Sequence, residues 1–146
     1  MNPINTDALE ILLVEDEKFH QVMAKKFLDK GNFNYRLHMI TDGEEALNFL
    51  YRRGEHENSP RPDIILLDLG LPTINGNDVF DQIKKDPNLK QIPVIVLTGA
   101  DLDQLPQNFS AVPGSYCFTK WMEMKNFMTL IKTVQTYRAT FSKKAA

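Results

Sequence analysis

The sequence predicts an α/β protein, a doubly wound parallel sheet of five strands with helices on both faces. Three observations carry that expectation. Aliphatic quartets stand at 11–14, 64–67 and 94–97 with no polar alternation, the mark of strands covered on both faces. Segments of helical period separate them, so strand and helix alternate along the chain as crossover connections require. The chain has 146 residues, the size of one domain, which can bury about 70% of its unfolded surface without a disulfide or structural metal.

The first strand is expected at residues 10–14. Residues 18–30 then place Phe19, Val22, Met23 and Phe27 near a helical period and predict an amphipathic helix. A weaker strand fits residues 35–40. Thr41 and Glu44 have the spacing of a capping box, with helix formers after them, so a second helix should begin there. The polar stretch 52–62 reads as a long surface loop before a third strand at 63–67. A third helix fits 77–85, where Val79, Phe80 and Ile83 are apolar and Pro87 follows, since the residue before a proline disfavours helix. A fourth strand is expected at 93–97 and a weaker fifth at 115–118. Residues 101–109 should supply a fourth helix, shortened or kinked by Pro106. The last helix, about 122–141, puts Phe127, Ile131, Val134 and Phe141 on one stripe.

Composition narrows the function. Lys plus Arg number 17 and Asp plus Glu 19, a net charge of −2, which argues against a general nucleic-acid binder with a basic face. The longest aliphatic runs are four residues, against roughly 20 needed to span a bilayer. The first seven residues have neither a basic nor an apolar signal region. One cysteine, Cys117, fits a reducing compartment. The expectation is a cytoplasmic domain that contacts neither nucleic acid nor membrane.

In an open α/β sheet, ligands bind beyond the carboxyl ends of the strands, where the strand order reverses. There the sequence puts Glu15 and Asp16 after the first strand, Asp68 at the end of the third, Thr98 at the end of the fourth and Lys120 after the fifth. Each alone is more often a cap, a turn former or a solvated charge. Three carboxylates at close quarters need either a proton or a cation among them. Mg²⁺ fits, because it takes one or two carboxylates and leaves positions for phosphate oxygens. A carboxylate can then act as nucleophile toward phosphorus, with the metal, the Thr98 hydroxyl and the Lys120 ammonium neutralising the transferred group. His20, His38 and His56 are too scattered for a metal cluster and read as surface or satisfied residues.

The strings that carry this chemistry occur in one order: ILLVEDE (11–17), GEEAL (43–47), PDIILLDL (62–69), LP (71–72) with NG (75–76), IPVIVLTG (92–99) and TK (119–120). In that order they resemble the receiver domain of bacterial two-component response regulators over about residues 9–140. The resemblance implies a flavodoxin-like sheet of order 2-1-3-4-5 and a phosphoryl group accepted on Asp68 from a sensor histidine kinase. It implies Asp16 as a direct Mg²⁺ ligand, Glu15 acting through water, and the Gly70 carbonyl completing the protein ligands. Thr98 and Lys120 match the switch hydroxyl and lysine. The loop before the third strand and DLGLP (68–72) resemble stand-alone regulators paired with phytochrome-type kinases. The implied organisation is a tail at 1–8, a receiver at 9–141 and a tail at 142–146, with no output domain.

Three departures lie on the surface receivers use for output. Cys117 stands where an aromatic is common, with Tyr116 and Phe118 beside it, so either the coupling is altered or Tyr116 substitutes through a local shift. Trp121 follows the lysine where proline is frequent, and Pro106 interrupts the fourth helix. A non-proline cis bond there would cost about 3 kcal/mol. Gly70 and Ala100 are small and each two residues past a key position, which predicts a short-lived phosphoryl group open to water. Trp121, Met122, Met124 and Met128 cannot all face inward at helical spacing, so a homodimer through the fourth and fifth helices and the strand between them is expected. The alternative is a pseudo-receiver acting as a phosphorylation-independent interaction module. A flavin protein lacks its phosphate cradle, since Glu15, Asp16 and Glu17 stand there. An aspartate-nucleophile phosphatase lacks its second acid, because Gly70 occupies that position.

Overall fold

Parallel strands buried on both faces must divide their side chains between two cores, and this chain does so. The computed structural model describes residues 8–31, 33–71, 73–98, 115–119 and 132. They form β1 (Leu9–Val14), α1 (Lys18–Lys30), β2 (Tyr35–Ile40), α2 (Gly43–Tyr51), a 3₁₀ turn (Gly54–His56), β3 (Ile64–Asp68), α3 (Gly76–Lys85), β4 (Val94–Thr98) and β5 (Ser115–Thr119). All strand pairs are parallel, in the order β2-β1-β3-β4-β5. Leu12, Val14, Ile65, Leu67, Val94 and Val96 pack toward α2 and α3. Leu9, Ile11, Leu13, Ile64, Leu66, Ile95 and Leu97 form the second core with Ala24 and Leu28 of α1. The period of two along a strand sends successive residues to opposite cores, and this explains the unbroken aliphatic runs.

The expected strands appear, several displaced by one residue. Two expectations need correction. The second helix is capped by Asp42 and not by Thr41: the Asp42 carboxylate accepts from the Glu45 N–H at 2.8 Å. The stripe expected to bury α1 is also out of phase, because Phe19 is 61% and Val22 45% exposed while Ala24 and Leu28 are buried. Val22 is two residues from Ala24 and therefore about 160° around the helix. Ala24 and Leu28 share a core with Leu9, Ile11 and Leu13 of β1, so the phase of α1 follows the sheet and not the largest side chains.

The loop before β3 is tied to α2: the His56 imidazole meets Glu45 at 2.8 Å and the Phe49 ring, and the Arg53 N–H donates to the Asn48 carbonyl at 2.9 Å. Among the described residues no helix is long and apolar enough to cross a membrane. The expected fourth helix with Pro106 and Ala100, and Lys120 with Trp121, lie outside the described residues, as does the fifth helix apart from Lys132, which is helical.

Candidate functional site

The strand order reverses between β1 and β3, whose chains leave toward opposite sides of the sheet. In an open sheet that opening at the carboxyl ends is where a ligand fits. Val14 pairs with Leu67, so the next residues, Glu15 and Asp68, come to the same edge, with Asp16 one position further. Carboxylate oxygens of Glu15, Asp16 and Asp68 lie within 4.8 Å of one another.

Glu15 is 1% and Asp68 9% exposed, whereas Asp16 reaches solvent. Each oxygen of the Glu15 carboxylate faces a neighbour: Oε2 accepts from the Glu17 N–H at 3.1 Å, and Oε1 is 3.5 Å from His20 Nδ1. Gln21 Nε2 donates to the Glu15 carbonyl at 2.8 Å. The first turn of α1 thus fixes Glu15 from behind. Asp68 Oδ1 accepts from the Gly70 N–H at 3.3 Å. At 4.8 Å two unit negative charges repel by about 3 kcal/mol at an effective dielectric of 20. A compact, half-buried set of oxygen donors under that repulsion fits a hard divalent cation.

The backbone around Asp68 is packed as tightly as its charges. A Cβ on Gly76, the first residue of α3, would sit 2.5 Å from the Asp68 carbonyl oxygen and 2.4 Å from Leu69 Cα. A Cβ on Gly43, the first residue of α2, would sit 2.4 Å from the Ile74 carbonyl oxygen. Two helices therefore begin directly against the loop that leaves Asp68. Within that loop Thr73 has a φ of +63°, an outlier for a β-branched residue that stores roughly 1–3 kcal/mol of strain.

The sequence-predicted residues are thus partly assembled. Glu15, Asp16 and Asp68 come together, and Gly70 touches Asp68 through its amide. Thr98 ends β4 one position beyond Leu97, the partner of Asp68. It pairs in turn with Thr119, which puts the backbone preceding Lys120 at the same edge. Lys120 itself lies outside the described residues. β5 pairs residue for residue with β4: Cys117 opposes Val96, while Tyr116 and Phe118 oppose Ile95 and Leu97.

Sequence reasoning missed His20. It is the third residue of α1, where a side chain can reach back past the start of the helix, and it does so toward Glu15 and Glu17, at 3.5 and 3.3 Å. His38 is also less satisfied than expected: its Nε2 is buried without a hydrogen bond, 3.6 Å from Glu10 Oε2.

The family profile of the response regulator receiver domain matches residues 11–132. Response regulator Rcp1 of Synechocystis is 37% identical over 128 residues, 87% of this chain and 86% of that protein. The crystal structure of the Mn²⁺-bound form of Rcp1 superposes with a TM-score of 0.70 at 35% identity, covering 91% of this chain and 94% of the other. The structure of the phosphorylated cyanobacterial phytochrome response regulator RcpA also gives 0.70, at 30% identity, with 95% and 97% covered.

Proposed function

We propose, from the premise that this chain belongs to the response regulator receiver domain family, that Asp68 accepts a phosphoryl group from a sensor histidine kinase of phytochrome type. The chain is a receiver-domain response regulator; the residue roles and the partner are our reading. The observation that carries it is the convergence of Glu15, Asp16 and Asp68 within 4.8 Å where the strand order reverses. Asp68 is the acid whose own strand ends in the pocket, and the Gly70 amide orients one of its oxygens. In the transfer, an Asp68 carboxylate oxygen forms a bond to phosphorus while the bond from phosphorus to the donor nitrogen breaks; the donor ring, protonated on its other nitrogen, keeps that electron pair and leaves as a neutral imidazole.

Asp16 and Asp68 would hold Mg²⁺ directly, Glu15 through water and the Gly70 carbonyl as the remaining protein ligand. Bound there, the cation supplies positive charge for the carboxylates and the phosphoryl oxygens. Glu15 needs fixed geometry for that role, and Glu17 N–H and His20 provide it. Thr98 and Lys120 would neutralise the transferred group. The protein assists its own modification and does not turn over a separate substrate. Output by protein contact, including a homodimer through the fourth and fifth helices and β5, and a cytoplasmic location, belong to the same reading.

The test is incubation with acetyl phosphate and Mg²⁺ followed by intact-mass measurement, beside Asp68→Asn and an EDTA control. The expected result is one phosphoryl adduct that requires both Asp68 and the metal. An unmodified wild type under those conditions would instead make the chain a phosphorylation-independent interaction module.

A further inference from the structure

A second concavity lies at the opposite edge of the sheet from the acid pocket. It sits where α2 ends and where the loops leading into β3 and β4 meet, an open cleft of about 670 Å³. Pockets that take small organic ligands fall in the range of roughly 300–1,000 Å³. Buried Leu50 and Leu89 contribute apolar surface, and Asn88 and Gln91 supply exposed amides.

Its charges are unbalanced. Arg52 and Arg61 both line it and both are exposed. Among the described residues neither guanidinium forms an ion pair or hydrogen bond. The acid in the lining, Asp86, is already engaged: its Oδ1 accepts from the backbone N–H groups of Asn88 at 2.7 Å and Leu89 at 3.0 Å. The Tyr51 hydroxyl beside it is pushed up by burial and by the Asp86 charge, so that carboxylate faces its own neighbours. The two guanidiniums are left as the uncommitted charges of the lining.

The backbone adds an independent sign. Arg52 follows α2 with a φ of +57°, the left-handed capping position that ordinarily takes Gly or Asn. A long cationic side chain is held there against local preference, and strain of this kind clusters at ligand-binding positions.

We propose that this cleft binds a small phosphate monoester, with the phosphate between Arg52 and Arg61 and the organic body over Leu50 and Leu89. Two planar guanidinium forks match the oxygens of a dianionic phosphate, and the volume exceeds what a bare phosphate fills. The site is separate from the acid pocket and needs no divalent metal.

The experiment is isothermal titration of the full chain with adenosine 5′-monophosphate as probe, in EDTA so that the acid pocket cannot hold a phosphate through a metal. Arg52→Gly removes the cation while keeping the turn, and Arg61→Gln lies in an exposed loop; melting curves check that both fold. The expected result is saturable binding that each variant weakens about tenfold or more, the effect of losing a charge-assisted hydrogen bond, with Asp68→Asn unchanged. Absence of binding at millimolar probe, an unchanged affinity in either arginine variant, or loss in Asp68→Asn would overturn the proposal. Inorganic phosphate binding as tightly as the nucleotide would overturn the assignment to an ester.

Discussion

Replacing Gly76 by Ala separates two opposed effects. On helix propensity alone, Ala at a helical position is more favourable than Gly by up to about 1 kcal/mol. The structure predicts the opposite sign. The added methyl would stand 2.4 Å from Leu69 Cα, 2.5 Å from the Asp68 carbonyl oxygen and 3.0 Å from Leu69 C, against ordinary contacts near 3.5–4.0 Å. All three atoms are backbone at the end of a central strand, so no rotamer change relieves the overlap. The start of α3 must retreat by about 1 Å, and the hydrogen bond from Gly76 N–H to the Leu69 carbonyl, now 2.9 Å, is lost or lengthened. Overpacking of this kind costs roughly 1–3 kcal/mol and the hydrogen bond about 1 more, so the net loss is about 2–4 kcal/mol less the propensity gain. Urea unfolding followed by circular dichroism should show a lower midpoint at an unchanged slope. The same displacement moves the Asp68 backbone, so the variant should also accept phosphoryl from acetyl phosphate more slowly. A Gly76→Ala variant as stable as the wild type would refute the packing argument.

Three further outcomes follow from the site and its surroundings. In EDTA, Asp68→Asn should unfold at higher urea than the wild type by about 1–3 kcal/mol, because it removes repulsion among carboxylates 4.8 Å or less apart; millimolar Mg²⁺ should narrow that gap by stabilising the wild type, and equal midpoints in EDTA would exclude the repulsion. Gly70 is exposed and a side chain there meets nothing within 4 Å, so Gly70→Arg should fold normally yet slow loss of the phosphoryl group several-fold by covering the approach of water; an unchanged decay of the phosphorylated fraction by intact mass would contradict this. Burial brings the half-buried Lys84 ammonium down from 10.5 to about 8. Below about pH 8 both folded and unfolded states carry the proton, and between 8 and 10.5 the unfolded chain binds the more, so this lysine makes stability rise with pH through that window. Partial solvent exposure, and the Lys90 and Ile92 carbonyls that accept from Nζ at 3.2 and 3.0 Å, reduce the effect to about 1–2 kcal/mol. The stability of wild type relative to Lys84→Met should climb by that amount, and a flat difference would show that the ammonium suffers no desolvation.

The strands were legible in the residues alone, because unalternating aliphatic quartets satisfy both faces of a parallel sheet and suit few other places. Their polar ends then put Glu15, Asp16 and Asp68 at one edge, since every parallel strand finishes on the same side. What stayed open at that level depends on phase and distance. Thr41 and Asp42 are both good caps, and the contact of Gly43 against the Ile74 carbonyl belongs to the helix that Asp42 caps. Phe19 and Val22 carry a helical period, but Ala24 and Leu28 are the α1 residues that enter the core, because the position of the helix on the sheet sets which of its faces is covered. His20 looked ordinary because its meaning lies in the 3.5 Å to a buried carboxylate, which only the first turn of α1 folded back on β1 creates. The cleft between Arg52 and Arg61 arises from segments that the chain order separates by a whole loop. Local periodicity decides which elements form; which side chains meet is decided by the packing of those elements against one another.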